Sequence, residues 1–184
     1  FGIFLVMLAI VFLSNRSTDD ENLAKNEKSF PSFDSNSVSR IEIQGPKSET
    51  VQLAQADGKW VVESKGNYAA DDRLISGAFN ILSSLRGGTL VSKNPEKQEE
   101  MGGSDTAGLH VTFLKEDGAP VLDFFLGNRG PVSESQYVRL AGRPEVYLFS
   151  ESLAFYFYKA EWRNKSILGL SSDDISEFAI KSSS

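Results

Sequence analysis

Val38-Ser39-Arg40-Ile41-Glu42-Ile43 alternates apolar and polar side chains, and the same period of two returns at Val51-Gln52-Leu53 and at Lys59-Trp60-Val61-Val62-Glu63. Alternation puts every second side chain on one face of a strand, so each run buries one face and wets the other. Gly45-Pro46-Lys47 turns the chain between the first two runs, and Asp57-Gly58 supplies the residues that a tight hairpin needs between the second and third. Three short antiparallel strands therefore open a domain, with Trp60 expected on the core face of the third strand or under the helix that follows.

Downstream the period changes to about three and a half. Leu74, Ile75, Ala78, Phe79, Leu82 and Leu85 recur at helical spacing, Asp71 and Asp72 sit where a helix N-terminus favours negative charge, and Gly87-Gly88 supplies the stop. Thr89 to Ser92 reads as a short extended piece. Asn94-Pro95-Glu96, a cap with proline at the first helical position, starts a small helix to about Met101, and Gly102-Gly103-Ser104 ends it. Strands return at Leu109-His110-Val111-Thr112-Phe113 and, after a turn at Glu116-Asp117-Gly118, at Val121 to Leu126. Gly127-Asn128-Arg129-Gly130-Pro131 reads as a loop. Tyr137 to Leu140 and Val146 to Phe149 form two more strands around Gly142-Arg143-Pro144, and Ser150 is the expected cap of an aromatic helix, Leu153 to Tyr158. No βαβ alternation occurs, so the fold class is α+β: a three-strand meander, a helix, then further antiparallel hairpins with helices packed on the sheet.

Outside this domain the chain changes character. Phe1 to Leu13 is an unbroken apolar run that stops at Ser14-Asn15-Arg16. Thirteen helical residues span about 20 Å against a hydrocarbon core of about 30 Å, so residues 1–16 read as the C-terminal part of an N-terminal transmembrane helix. Leu13-Ser14-Asn15-Arg16-Ser17 lacks the small residues of a signal cleavage site, which favours an uncleaved anchor. Residues 17–33 are polar and read as a tether, residues 34–170 as the domain. Arg16 followed by Asp19, Asp20 and Glu21 suits the outer side of a bacterial inner membrane. The expected arrangement is a single-pass anchor in lipid, a globular part on the periplasmic side, and a membrane-protein partner. Ile175-Ser176-Glu177-Phe178-Ala179-Ile180 repeats the pattern of Val38 to Ile43, so residues 171–184 are expected to carry the first strand of a second copy.

Composition removes several chemistries. The 184 residues contain no cysteine, hence no disulfide framework, thiolate metal site or cysteine nucleophile. Lys plus Arg is 19 against 25 for Asp plus Glu, a formal charge of −6 without a basic stripe, which argues against nucleic acid as a partner. There is no G-x-S-x-G, no phosphate-binding G-x-x-x-x-G-K-[ST] and no H-E-x-x-H. His110, the single histidine, alternates with apolar neighbours in a strand and reads as a strand residue in preference to a catalytic base. Asp19-Asp20-Glu21, Glu99-Glu100 and Asp173-Asp174 are adjacent carboxylates without the spacing of a calcium loop. No catalytic residue, metal or cofactor is expected.

The candidate interface is the aromatic run Phe155, Tyr156, Phe157, Tyr158 with Trp162, flanked by Arg163 and Lys165. Four consecutive aromatics on a helix cannot all face one core, so one or two must be exposed or meet another element. Arg129, in its glycine loop, is a candidate anion contact.

Several of these segments together resemble the bacterial domain-of-unknown-function family 4340. The likeness runs over roughly residues 34 to 180 and rests on Val38 to Ile43, Asp57-Gly58-Lys59-Trp60-Val61-Val62, the Ala70-Asp71 helix start with Leu82 and Leu85, and Trp162-Arg163-Asn164-Lys165-Ser166-Ile167-Leu168 running into Asp174-Ile175. Met101-Gly102-Gly103-Ser104 stands where the family often has Tyr-Gly-Leu and a proline. These are packing and turn signatures. The resemblance implies anchoring by one N-terminal helix and, for some members, association with auxiliary components of ABC-type transport or gliding-motility systems. The expectation is a non-enzymatic, membrane-anchored extracytoplasmic accessory or scaffold domain. The alternative is a module that binds a small molecule or glycan through the Gly127 to Pro131 loop and the aromatic helix, with a hydrolase third.

Overall fold

The computed structural model describes residues 30–85, 87–151, 153–158 and 161–165. The expected anchor, most of the tether and the repeated strand at 175–180 lie outside the described residues. Among the described residues nine strands form one sheet: β1 (Arg40–Gln44), β2 (Val51–Ala56), β3 (Lys59–Val62), β4 (Tyr68–Ala69), β5 (Thr89–Ser92), β6 (Leu109–Leu114), β7 (Pro120–Arg129), β8 (Gln136–Leu140) and β9 (Val146–Phe149). The spatial order is β4-β3-β2-β1-β6-β7-β8-β9-β5, and neighbouring strands pair antiparallel. Two meanders thus join edge to edge where β1 meets β6, with Ile41 opposite Phe113 and Ile43 opposite Val111. Between β4 and β5 runs α1 (Asp72–Ser84), between β5 and β6 the short α2 (Glu96–Glu100), and after β9 the single-turn α3 (Ala154–Phe157). An antiparallel, sheet-rich α+β fold is the outcome.

The period-two residues do what alternation requires. Ile41, Ile43, Leu53, Val62, Val111, Phe113, Phe124, Leu126 and Val138 are buried on one face, where Ile75, Ala78 and Leu82 of α1 join the same core. The N-terminus of α1 is fixed by Asp71, whose carboxylate accepts from the Arg73 amide at 3.0 Å. Phe113 and Phe124 hold Phe157 of α3 edge-on, at centroid distances of 6.2 and 6.0 Å. Trp60 lies against Phe79 of α1 at 5.9 Å and is half-buried.

Four expectations are corrected. The core begins before residue 34: Phe30 is buried edge-on between Phe124 and Phe149, and Phe33 packs on Phe79 and Phe113. Two aromatics in a polar segment have enough apolar surface to dock, although they make no periodic pattern. Gly127, Asn128 and Arg129 are not loop but the end of β7, carried into the sheet across a register shift between Leu126 and Arg129. Ser150 does not cap α3: Leu153 holds the cap position and no side-chain cap bond is made there. Trp162 is buried against Phe157, and the segment around it forms a bridge beside β4. The Asp71 amide donates to the Trp162 carbonyl at 2.7 Å, and the Asn164 amide donates to that of Ala69 at 2.8 Å.

Candidate functional site

The bulge at the end of β7 builds an open groove of about 960 Å³ beside α3. Its walls come from Arg129 on β7, Gln136 on β8, the Ser133-Glu134 loop, Ser150-Glu151, and Phe155, Tyr156 and Tyr158. Register explains the shape. Leu126 pairs with Val138 and Arg129 with Gln136, so three steps on β7 face two on β8 and the carbonyls of Gly127 and Asn128 leave the ladder. Gln136 Nε2 donates to the Gly127 carbonyl at 2.6 Å and to that of Asn128 at 3.3 Å. The Tyr158 hydroxyl donates to the carbonyls of Leu126 and Gly127, both at 3.1 Å. Glycine is required at 127, because a Cβ there would overlap the Met101 carbonyl, which accepts from the Asn128 amide at 2.7 Å.

Gln136 is the unusual member. It occupies the position that faces the core in phase with Val138, it is 1% exposed, and its Oε1 is buried with no hydrogen-bond partner. Its amide is oriented by the two carbonyls that Nε2 engages, so Oε1 stands as an acceptor without a donor. A buried polar atom left unpaired costs about 1–3 kcal/mol. The adjoining loop is stapled by Ser135, whose hydroxyl donates to the Val132 carbonyl at 2.5 Å. Glu134 in that loop has φ +65°, a left-handed conformation uncommon for a residue of its type.

The aromatic run divides. Phe157 and Trp162 are core residues and offer no interface, which corrects their place among the candidates. Phe155 is 58% and Tyr158 49% exposed, and Tyr156 is half-buried. Phe155 meets Tyr156 edge-on at 5.1 Å. Burial of the hydroxyl end pushes the Tyr158 phenol above its ordinary pKa. Arg129, separate from these in sequence, shares their groove. Arg163 and Lys165 do not: they line another cleft with Asp71, Arg73, Leu74 and Glu161. There Arg163 holds Glu161 by two bonds of 2.6 and 2.7 Å, which brings the Glu161 carboxyl down to about 2.

His110 stands on the other face of the sheet. Its Nε2 lies 2.6 Å from Asp123 Oδ1 and 3.4 Å from Thr112 Oγ1, and its ring stacks on Phe125 at 4.3 Å. The buried Arg139 guanidinium covers the same Phe125 at 4.4 Å and is held by the Gly103 carbonyl at 2.6 Å and by the Asp105 carboxylate. Carboxylate and hydroxyl approach one ring nitrogen of His110, whereas an activated nucleophile needs them on opposite nitrogens. Among the described residues no cluster of three or more His, Asp or Glu is placed to hold a metal ion, and no helix is long and apolar enough to cross a membrane.

The sequence reading found Arg129 and the aromatic run but missed Gln136, Glu134 and Glu151. For Gln136 a signal existed: extending the alternation of Val138 and Leu140 back by two places puts glutamine on the apolar face. Comparison with family models matches residues 60–184 to a family described as Domain of unknown function (DUF4340). No curated protein and no solved structure matches the chain.

Proposed function

The chain belongs to the DUF4340 family, and on that premise we propose that it is a non-enzymatic accessory domain of the cell envelope, tethered at the membrane on the extracytoplasmic side, that works by binding. The observation carrying this reading is the groove, which brings Arg129 together with the exposed Phe155 and Tyr158 and the half-buried Tyr156. A concave surface lined by aromatic rings and a few polar groups suits ligand capture better than flat docking. The apolar run Phe1 to Leu13 supports the tether, and the acidic flank behind it supports the orientation. The one-sided environment of His110 Nε2 supports binding without catalysis.

Complementation of a strain lacking the gene tests the reading. His110→Gln in the full chain should rescue the deletion phenotype, and the combined Phe155→Ala and Tyr158→Phe change should not, with both proteins present at normal levels. Loss with His110→Gln and full restoration by the groove variant would replace binding with catalysis.

A further inference from the structure

We infer that the peptide group between Gly127 and Asn128 couples the groove beside α3 to the opposite face of the sheet. In a planar trans peptide the carbonyl and the amide point opposite ways, and in a regular strand both lie in the sheet and pair with its neighbours. At the β7 bulge this unit stands across the sheet instead. On the groove side its carbonyl accepts from Gln136 Nε2 at 2.6 Å and from the Tyr158 hydroxyl at 3.1 Å. On the other side the Asn128 amide donates to the Met101 carbonyl at 2.7 Å, and the Asn128 side chain donates to the Glu100 carbonyl at 3.1 Å, so the end of α2 hangs on the same residue. From Met101 the chain runs directly into the turn that latches Arg139: the Gly103 carbonyl accepts from Arg139 Nε at 2.6 Å, and the Asp105 carboxylate holds the end of the guanidinium. Arg139 in turn lies over the buried Phe125 at 4.4 Å, and His110 stacks on the same ring at 4.3 Å. Packed networks of this kind move between discrete arrangements rather than bending smoothly. Two are open to the bulge: the peptide held across the sheet, and the peptide rotated with the Met101 bond broken, a motion that Gly127, lacking a Cβ, does not obstruct. An occupant of the groove that takes the Tyr158 hydroxyl as its own partner leaves the carbonyl with Gln136 alone. That shifts the balance toward the rotated arrangement and loosens the Met101 to Asp105 turn and its hold on Arg139. The coupling goes beyond the binding reading above, and it is measured without a ligand, so the two fail separately.

Amide hydrogen exchange and N–H NMR spectra of the full chain in lipid nanodiscs test it. Tyr158→Phe removes one hydroxyl from an exposed side chain. Exchange of the Asn128 amide should then quicken about threefold, and the Arg139 Nε–H resonance should move although Tyr158 bonds to neither group. With Gln136→Met added, the Gly127 carbonyl has no side-chain donor left. Exchange should quicken about tenfold or more, the loss of about one net hydrogen bond, with the Arg139 resonance displaced further in the same direction. Coupling is reciprocal, so Asp105→Ala, a change at an exposed carboxylate, should quicken Asn128 exchange from the opposite face. Phe155→Ala, in the same groove without a bond to the peptide, should move neither signal. An Asn128 amide and an Arg139 resonance unchanged in Tyr158→Phe and in the double variant overturn the coupling. An equal response to Phe155→Ala also overturns it, because general loosening of α3 would then account for the effect. If the double variant does not fold, Tyr158→Phe and Asp105→Ala decide alone, and both must quicken Asn128 exchange. A coupling overturned in any of these ways leaves the complementation test of the binding reading as it stands.

Discussion

Gln136→Met removes both polar atoms of the side chain while keeping its length, so its effect on stability can be worked from the groove geometry. The change loses the 2.6 Å bond from Nε2 to the Gly127 carbonyl, worth about 1 kcal/mol net. That carbonyl is not orphaned, because the Tyr158 hydroxyl still donates to it at 3.1 Å. The bond to the Asn128 carbonyl is long at 3.3 Å and its loss is smaller. Against this, Oε1 is buried without a partner, and removing it recovers about 1–3 kcal/mol. With about 0.5 kcal/mol for the longer bond, the balance runs from about −0.5 to about 1.5 kcal/mol in favour of the methionine variant. For a domain of this size each kcal/mol moves the melting temperature by about 2–4 °C. Urea unfolding with the slope held common to both proteins measures it. A variant less stable than the parent by more than about 1 kcal/mol refutes the reasoning, because Oε1 would then be satisfied in solution.

Two further expectations follow from the packing and the ion pairs. Phe30→Ala should cost about 3–5 kcal/mol, because the ring is buried edge-on between Phe124 and Phe149; the half-buried Trp60 should cost about 1–2 kcal/mol on truncation, and chemical denaturation showing Phe30→Ala to be neutral would return residue 30 to the tether. The Glu161 carboxyl, held at about 2 by Arg163 and ordinarily near 4.5, should be followed by carboxyl carbon NMR and rise toward 4.5 in Arg163→Gln. Since the folded value is the lower one, the pair's contribution is complete above pH 4.5 and is lost as pH falls through about 2. Its exposed position keeps that contribution small. A Glu161 titration unchanged by the substitution would show that the two bonds do not persist in solution.

Alternation from Val38 to Ile43, the Asp57-Gly58 turn and the helical spacing of Leu74 to Leu85 determined by themselves which segments become strand and helix and which face each one buries. These are local properties: side-chain direction repeats every two residues in a strand and about every three and a half in a helix, so the buried stripe is written in the order of residues. Phe30 escaped that reading because two aromatics in a polar stretch have no period. Only the tertiary structure decided that β1 joins β6 to make one sheet of two meanders, that Trp162 and Phe157 are core while Phe155 and Tyr158 are not, and that Arg129 meets α3 across a groove. Each of these depends on which distant segments pair, and pairing is settled by the burial and hydrogen bonding of the whole sheet. The bulge between Leu126 and Arg129 is the sharpest case. Gly127-Asn128 reads as turn chemistry, since glycine and asparagine relieve backbone constraint wherever they occur. Here they relieve it within a strand, because the Met101 carbonyl packs against Gly127 and Gln136 and Tyr158 collect the carbonyls that the displaced register sets free.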